Sequence, residues 1–256
     1  MKLSKILLIL FVSVLITSCK NEQSNADVSK IEEEIKISDA IKIIPIAHGT
    51  LILETDTEVI YLDPTGGKEA FEGQKEPTLV LITDIHADHL STSTLEALAL
   101  KNSTVVVPKA VADKMPSTSV KSLNILNNGE TLTLNDIIIE AIPMYNLREE
   151  ALKFHSKGRG NGYVVTIKGE RIYISGDTED VAEMRSLKDI DIAFICMNLP
   201  YTMTVESAAS AVLEFKPKHV YPYHYRGTEG LSDINLFKDL VYKGNKSIEV
   251  TFLDWY

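Results

Sequence analysis

The chain has 256 residues, of which 45% are hydrophobic and 24% charged, and its formal net charge is −10. This length and apolar content are sufficient for one sizeable domain with a hydrophobic core. The acidic charge argues against a nucleic-acid partner, because binding to a phosphate backbone relies on lysine and arginine.

The first segment of the chain has the features of an export signal. Two lysines precede an apolar run over residues 6–16, which is shorter than the roughly 20 residues of a membrane-spanning helix. The run ends at Ser18-Cys19 and resembles the lipobox of bacterial lipoproteins, in which the cysteine carries the lipid. An ordinary secretory signal or a short anchor helix is the alternative. We expect a bacterial cell-envelope protein, lipid-anchored to the membrane, with a signal peptide over residues 1–18, a polar tether over 19–40 and one domain over 41–256.

After the tether, apolar runs bounded by turn residues predict mostly β-structure. The predicted strands are Ile41–Ala47, Leu51–Glu54, Glu58–Leu62, Thr78–Thr83, Thr104–Val107, Ile137–Ile142, Gly162–Ile167, Arg171–Ser175, Ile190–Cys196, His219–Tyr223 and Ile248–Leu253. The predicted helices are Ser91–Leu100, Glu179–Leu187, Val205–Phe215 and Asp233–Tyr242. Strands in meander order, followed by strands that alternate with helices, favour an α+β fold of two packed sheets with helices outside.

A dense group of histidines and carboxylates directly follows one of these strands. The predicted strand Thr78–Thr83 leads into Asp84, His86, Asp88 and His89. A strand end followed by a tight turn can aim several of these side chains into one space. Imidazole and carboxylate at this density suit Zn²⁺ or a similar divalent ion. A solvated loop with unrelated histidines is the alternative interpretation.

Three further candidates lie at predicted strand ends or in loops beside them. They are His155, Asp177 within Gly176-Asp177-Thr178, and His224. Side chains at strand ends can converge on one edge of a two-sheet sandwich even when they are far apart in sequence.

This ordered set of residues resembles the signature of the metallo-β-lactamase superfamily. The signature is His-x-His-x-Asp-His, then a His, an Asp within Gly-Asp-Thr, and a final His. The resemblance covers about residues 41–254. Ala47-His48-Gly49 and the run 160–163 are similar to the ascorbate-6-phosphate lactonase-like branch. The resemblance to the superfamily implies an αββα sandwich of two mixed β-sheets with helices on the outer faces.

The resemblance also implies a ligand set for two metal ions. One ion would be held by Asp84, His86 and His155, and the second by Asp88, His89 and His224, with Asp177 bridging them. We expect Zn, with Mn or Fe as alternatives. Asp84 stands where the family has histidine, which shifts the preference toward Mn or Fe or signals a weakened or mononuclear site. The implied catalytic residues are Asp88, Asp177 and His48, although His48 could equally close a strand turn.

The resulting hypothesis is a metal-dependent hydrolase that uses a metal-bound hydroxide on a small ester, lactone or phosphoester. The alternatives are a β-lactamase and a non-catalytic lipoprotein that binds metal or ligand. The expected partner is a small-molecule substrate, and Lys157 and Arg159 would suit one that is anionic. Cys196 lies in an apolar run and is expected to be buried without a disulfide.

Overall fold

Two seven-stranded β-sheets form the centre of the computed structural model, which describes residues 35–38 and 40–256. The predicted signal peptide lies outside the described residues. The described residues belong to one compact unit. The strand Ile35–Ser38 (β1) pairs with Ile41–Ala47 (β2), so the sheet begins within the segment predicted as a tether. The sequence Ile35-Lys36-Ile37-Ser38 alternates apolar and polar residues, which is a short strand pattern that the prediction of a tether did not include.

The first sheet follows chain order, with antiparallel strands β1 to β4 and parallel strands from β4 to β7. Its strands are β1 Ile35–Ser38, β2 Ile41–Ala47, β3 Thr50–Glu54, β4 Val59–Leu62, β5 Leu79–Leu81, β6 Thr104–Val107 and β7 Ser122–Ile125.

The second sheet mirrors this plan, with antiparallel strands β8 to β11 and parallel pairing from β11 through β12 and β13 to β16. Its strands are β8 Thr131–Leu134, β9 Ile137–Met144, β10 Gly160–Ile167, β11 Glu170–Ile174, β12 Ile192–Ile195, β13 His219–Pro222 and β16 Glu249–Val250. A separate hairpin joins β14 Arg226–Gly227 to β15 Gly230–Leu231.

Helices cover the outer face of each sheet. The α-helices are α1 Thr92–Ala97, α2 Lys109–Ala112, α3 Ala182–Arg185, α4 Val205–Phe215 and α5 Ile234–Gly244. Alternate residues of a strand point to opposite faces, so Ile60 belongs to the core between the sheets while Tyr61 packs in the outer core with Leu95 of α1. The expected αββα sandwich is confirmed. Within residues 40–256, no helix has the length and apolar character needed to cross a membrane.

Some predicted element bounds were wrong. The helix predicted from Glu179 begins only at Ala182, because the carboxylate of Glu179 accepts hydrogen bonds from the amides of Leu147 and Arg148 in a neighbouring loop. The helix predicted to run to Leu100 ends at Ala97. The structure also contains β7 and β8, which the apolar pattern did not predict because about half of their residues are exposed.

The topology brings several strand ends to one edge of the sandwich. Strands β2, β4, β5, β9, β11 and β13 all end there, because parallel neighbours share a direction and antiparallel neighbours alternate. Hydrogen bonds join the sheets at this edge: the amide of Asn161 donates to the carbonyl of Thr83 at 2.9 Å, and that of His224 to His48 at 3.1 Å.

Candidate metal centre

The loop that follows β5 presents the first group of candidate residues. The amides of His89 and Leu90 both donate to the carbonyl of His86, which closes a tight turn. Asp84 and His89 are buried, whereas the side chains of His86 and Asp88 are 39% and 43% exposed. One turn therefore places two candidate ligands inside the protein and two at its surface.

Asp63, which the sequence analysis did not select, orients His89. It directly follows β4 and is fully buried. Nδ1 of His89 donates to Oδ2 of Asp63 at 2.7 Å, and the amide and hydroxyl of Thr83 donate to the same carboxylate at 2.7 and 2.6 Å. Because a carboxylate only accepts, the proton of His89 is on Nδ1, and Nε2 is the nitrogen that can bind a metal ion. The only sequence signal for Asp63 is its position at the end of a strand that neighbours β5.

His155 is oriented by a backbone carbonyl in the loop between β9 and β10. Its Nδ1 lies 3.2 Å from the carbonyl oxygen of Tyr201, an atom that can only accept, so Nε2 is again the free nitrogen. The buried amide of Asn146 donates to the carbonyls of Ala151 and Tyr201 and ties this loop to the segment after β12. Glu179 holds the start of the same loop, and neither Asn146 nor Glu179 was predicted as a supporting residue.

Asp177 and His224 complete the centre from the second sheet. Asp177 follows β11 after Gly176, whose φ of 60° is a left-handed conformation that glycine adopts readily. Oδ2 of Asp177 lies 3.4 Å from Nε2 of His89 and 3.2 Å from Nε2 of His155, and Oδ1 lies 3.5 Å from Nε2 of His224. Asp177 thus contacts all three buried imidazoles.

These side chains form two groups with the spacing needed for metal binding. In each group the potential ligand atoms lie within 4.8 Å of one another; the groups are Asp88, His89, Asp177 and His224, and Asp84, His86 and His155. The structure therefore brings together all seven residues that the sequence suggested as ligands.

The buried atoms at this centre fit a cation. Nε2 of His89, His155 and His224 and Oδ1 of Asp177 are buried and have no hydrogen-bond partner among the described residues. Nε2 of His89 and Nε2 of His155 both face the carboxylate of Asp177, so each needs a proton or a metal ion between it and that carboxylate. Electron-rich atoms that face one another without a proton or cation between them are unfavourable, so a divalent ion suits this position.

The carboxylates of the centre remain ionised. Burial raises the pKa of Asp177, but His224 and His89 outweigh this effect and hold the pKa well below its usual value. Burial also raises the pKa of Asp88, but the neighbouring imidazoles of His224 and His48 outweigh this effect and hold the pKa below the usual range. Burial lowers the pKa of His89, but Asp177 and Asp63 raise it well above its usual value. Asp88 and Asp177 thus supply two negative charges to one group.

Asp84 differs from the other candidate ligands because it is bound by Arg159. Nε and Nη2 of Arg159 donate to Oδ1 and Oδ2 of Asp84 at 3.0 and 2.7 Å, and Nδ1 of His86 lies 2.8 Å from Oδ2. Burial raises the pKa of Asp84, but His86 and Arg159 outweigh it and lower the pKa to about 2. Asp84 is therefore a carboxylate with both oxygens already occupied by hydrogen bonds.

His48 lies at the same edge, in the turn between β2 and β3. Its Nε2 is 3.4 Å from Oδ2 of Asp88, and its ring lies 3.8 Å from that of His224. The hydroxyl of Tyr256 accepts the amides of Tyr225 and Arg226, each at 3.1 Å, so its own proton is available to Nδ1 of His48 at 2.9 Å. His48 then carries its proton on Nε2, facing Asp88.

The remaining candidates lie outside the centre. The ammonium of Lys157 donates to Glu183 at 2.8 Å and not to the centre. Cys196 is fully buried, as expected.

Comparison with known proteins gives consistent matches. A family model described as "Beta-lactamase superfamily domain" matches residues 42–224. A UPF0173 metal-dependent hydrolase of Roseobacter denitrificans is 32% identical over 203 residues, which cover 73% of this chain and 86% of the relative. A solved structure from Parabacteroides distasonis, provisionally named a metal-dependent hydrolase, is 36% identical with a TM-score of 0.75, covering 84% of this chain and 94% of that one. A metallo hydrolase from Ignicoccus hospitalis, at 21% identity, a TM-score of 0.68 and coverage of 84% and 95%, shares the fold.

Proposed function

The chain belongs to the beta-lactamase superfamily and is a metal-dependent hydrolase of that fold, and we propose that it cleaves a small ester, lactone or phosphoester. The observation that carries this proposal is the convergence of unpartnered buried nitrogens on the carboxylate of Asp177. The lactone and phosphoester choices rest on the resemblance of the sequence to the ascorbate-6-phosphate lactonase-like branch.

The metal would be held by the group with two carboxylates, namely Asp88, His89, Asp177 and His224. We propose Zn²⁺ because imidazole nitrogens suit it, with Mn or Fe as alternatives. When bound, such an ion lowers the pKa of a coordinated water and stabilises negative charge on a substrate oxygen. A second metal position would be offered by Asp84, His86 and His155. Arg159 beside Asp84 affects whether an ion binds there.

The chain's own side chains orient the reactants around this ion. Asp88 is ionised and partly exposed, so it can accept a hydrogen bond from an attacking water. Burial is the main cause that lowers the pKa of His48, which keeps this imidazole neutral near pH 7. Its Nε2–H can then donate to an oxygen of the substrate that gains negative charge.

Apolar side chains on the neighbouring loops would contact the rest of the substrate. Three loops that carry or contact His155 and His224 expose large apolar residues, which are Leu147, Leu152, Leu199, Tyr201 and Leu231. The ring of Tyr201 packs against Phe154 at 5.0 Å, and its hydroxyl accepts from Thr228 at 3.2 Å, so these loops contact one another. This arrangement favours a substrate with an apolar portion.

A substrate panel on the Asp177→Ala variant tests the proposal. The panel comprises an ester, a lactone, a phosphodiester and a β-lactam, each assayed with Zn²⁺-loaded and chelator-treated protein. Because Asp177 contacts three ligand histidines, its loss should lower both metal content and hydrolysis, the latter by about 100-fold or more. Asp56→Asn, at an exposed position paired with Lys168, is the control. Full activity and unchanged metal content in Asp177→Ala would contradict the proposal, and metal binding without turnover would indicate a binding protein.

We also propose that the protein is lipid-anchored through Cys19 to a membrane of the bacterial cell envelope. The support is the short apolar run that ends at this cysteine. Mass spectrometry of the N-terminal peptide from native protein should find a lipid-modified Cys19, and an unmodified chain cut at another residue would contradict this.

A further inference from the structure

The two groups of candidate ligands differ in what their atoms already contact. In the group around Asp177, buried ligand atoms have no hydrogen-bond partner among residues 40–256. In the other group, both oxygens of Asp84 accept from Arg159, Nδ1 of His86 faces Asp84 at 2.8 Å, and Nε2 of His86 faces Nη2 of Arg159 at 3.5 Å. In the second group Asp84 and His86 are therefore already bonded within the protein, whereas Nε2 of His155 is buried without a hydrogen-bond partner among the described residues and lies 3.2 Å from Asp177.

The net charges of the two groups also favour a metal ion in the group around Asp177 over one beside Asp84. Asp88 and Asp177 bring two negative charges and no arginine or lysine, which matches one divalent ion. Asp84 brings one negative charge, and the guanidinium of Arg159, which stays protonated in proteins, neutralises it. A divalent ion beside Asp84 would lie within a few ångströms of this guanidinium and would be repelled by it.

A buried carboxylate at this position requires a cationic partner. Asp84 is fully buried, and an unpaired buried charge is strongly unfavourable. Where the family pattern has a neutral histidine, this chain has a carboxylate together with an arginine 75 residues further along. The two residues thus act as one unit, and the arginine is the cation that this unit provides.

Building on the proposed function, we propose that the guanidinium of Arg159 takes the place of a second metal ion. The centre then holds one divalent ion at Asp88, His89, Asp177 and His224, and Arg159 binds an anionic oxygen of the substrate. The side chain of Arg159 is 18% exposed, and its Nη1 donates to no acceptor within residues 40–256, so one edge of the guanidinium is open to a ligand. The substrate class is accordingly a carboxylate or phosphoryl compound with a hydrolysable bond.

Metal counting on the full chain tests the one-ion centre. Metal-free protein is titrated with Zn²⁺, and bound ions are counted by native mass spectrometry and elemental analysis. We expect one ion per wild-type chain and two per Asp84→His/Arg159→Met chain, in which the imidazole is restored and the guanidinium removed. Two ions in the wild type would overturn the inference and leave the proposed function intact. No bound ion would overturn both, and one ion without turnover of any panel compound would count against the function alone. The number of ions bound by the wild-type protein tests the inference even if the double variant does not fold.

Orthophosphate is the probe for the anion-binding arginine. The Asp84→Asn/Arg159→Gln variant removes both charges and leaves the four proposed Zn²⁺ ligands unchanged. Its affinity for phosphate, measured by calorimetry on Zn²⁺-loaded protein, should be about tenfold or more weaker than that of the wild type. Lys157→Gln is the matched control, because Lys157 is nearby in sequence but bound to Glu183, and it should leave phosphate affinity unchanged. Equal phosphate affinity in the wild type and the double variant would overturn the assignment of Arg159.

Discussion

Replacing Asp63 by asparagine should weaken metal binding, although Asp63 is not itself a candidate ligand. In the wild type, Oδ1 accepts the amide of Thr83, and Oδ2 accepts both the hydroxyl of Thr83 and Nδ1 of His89. Asparagine has a single acceptor oxygen, so in either orientation its NH₂ group faces a donor. If the NH₂ group faces His89, the imidazole accepts on Nδ1 and moves its proton to Nε2, where a metal ion would have to bind.

The size of the effect follows from this change of tautomer. Loss of a carboxylate that orients a ligand histidine typically lowers metal affinity 10–100-fold, which corresponds to about 1.4 to 2.7 kcal/mol. The free energy of unfolding of the metal-free protein should fall less, by about 1 kcal/mol, because an unsatisfied donor costs ~1–3 kcal/mol while the variant no longer buries the charge of Asp63.

Competition with a chromogenic chelator measures the Zn²⁺ affinity, and denaturant unfolding measures the stability of the metal-free form. Asp56→Asn is the matched control, since Asp56 is 72% exposed, is bonded to Lys168 and contacts no candidate ligand. Asp63→Asn with wild-type Zn²⁺ affinity and intact fold would refute the role of Asp63 in setting the tautomer of His89.

Two further substitutions and one labelling experiment test other parts of the structure. In Gly49→Ala the new Cβ would lie 2.7 Å from Cδ2 of His224, so the ring should move and the protein should lose Zn²⁺ affinity; unchanged affinity would contradict this packing. In Tyr256→Phe the proton that reaches His48 is lost, so ¹⁵N NMR should show a change in the tautomer of His48 and hydrolysis should fall at constant metal content; an unaltered imidazole spectrum would argue against the contact. Burial raises the pKa of Cys196 to about 11, so this thiol stays protonated at pH 8 in the folded protein and should resist alkylation until the chain unfolds. Peptide mapping measures the labelling, and rapid labelling of Cys196 in the native protein would contradict its burial.

The sequence predicted the layers and the candidate ligands because both leave local patterns. Apolar runs mark the buried strands, and the motif from Asp84 to His89 lies directly after one of them. His155, Asp177 and His224 could be selected because they stand at strand ends or in adjoining loops, and parallel strands deliver their ends to one edge. The edge strands β7 and β8 were missed because exposed and partly buried residues alternate in them, which leaves little apolar signal.

The supporting residues could not be predicted, because their roles depend on contacts between distant segments. Asp63 lies 26 residues before His89, and Tyr256 lies 208 residues after His48. Nothing local distinguishes Asp63 from any other aspartate at a strand end. Arg159 was considered only as a general site for anions, because its pairing with Asp84 forms only where the end of β5 in one sheet meets the start of β10 in the other.

Asp63 and Asp84 show how the partner of a buried carboxylate determines what the centre can bind. Both follow adjacent parallel strands, β4 and β5, and both are fully buried, so each needs a donor. Asp63 accepts a hydrogen bond from Nδ1 of His89, which leaves Nε2 of that imidazole for a metal ion. Asp84 takes two hydrogen bonds from Arg159, and the charge that a metal ion would neutralise is already neutralised. The sequence analysis selected Asp84 as a metal ligand and did not select Asp63, and the contacts of the two carboxylates give a different assignment. Their different hydrogen-bond partners give the two carboxylates different roles, and the number of metal ions bound per chain measures that difference.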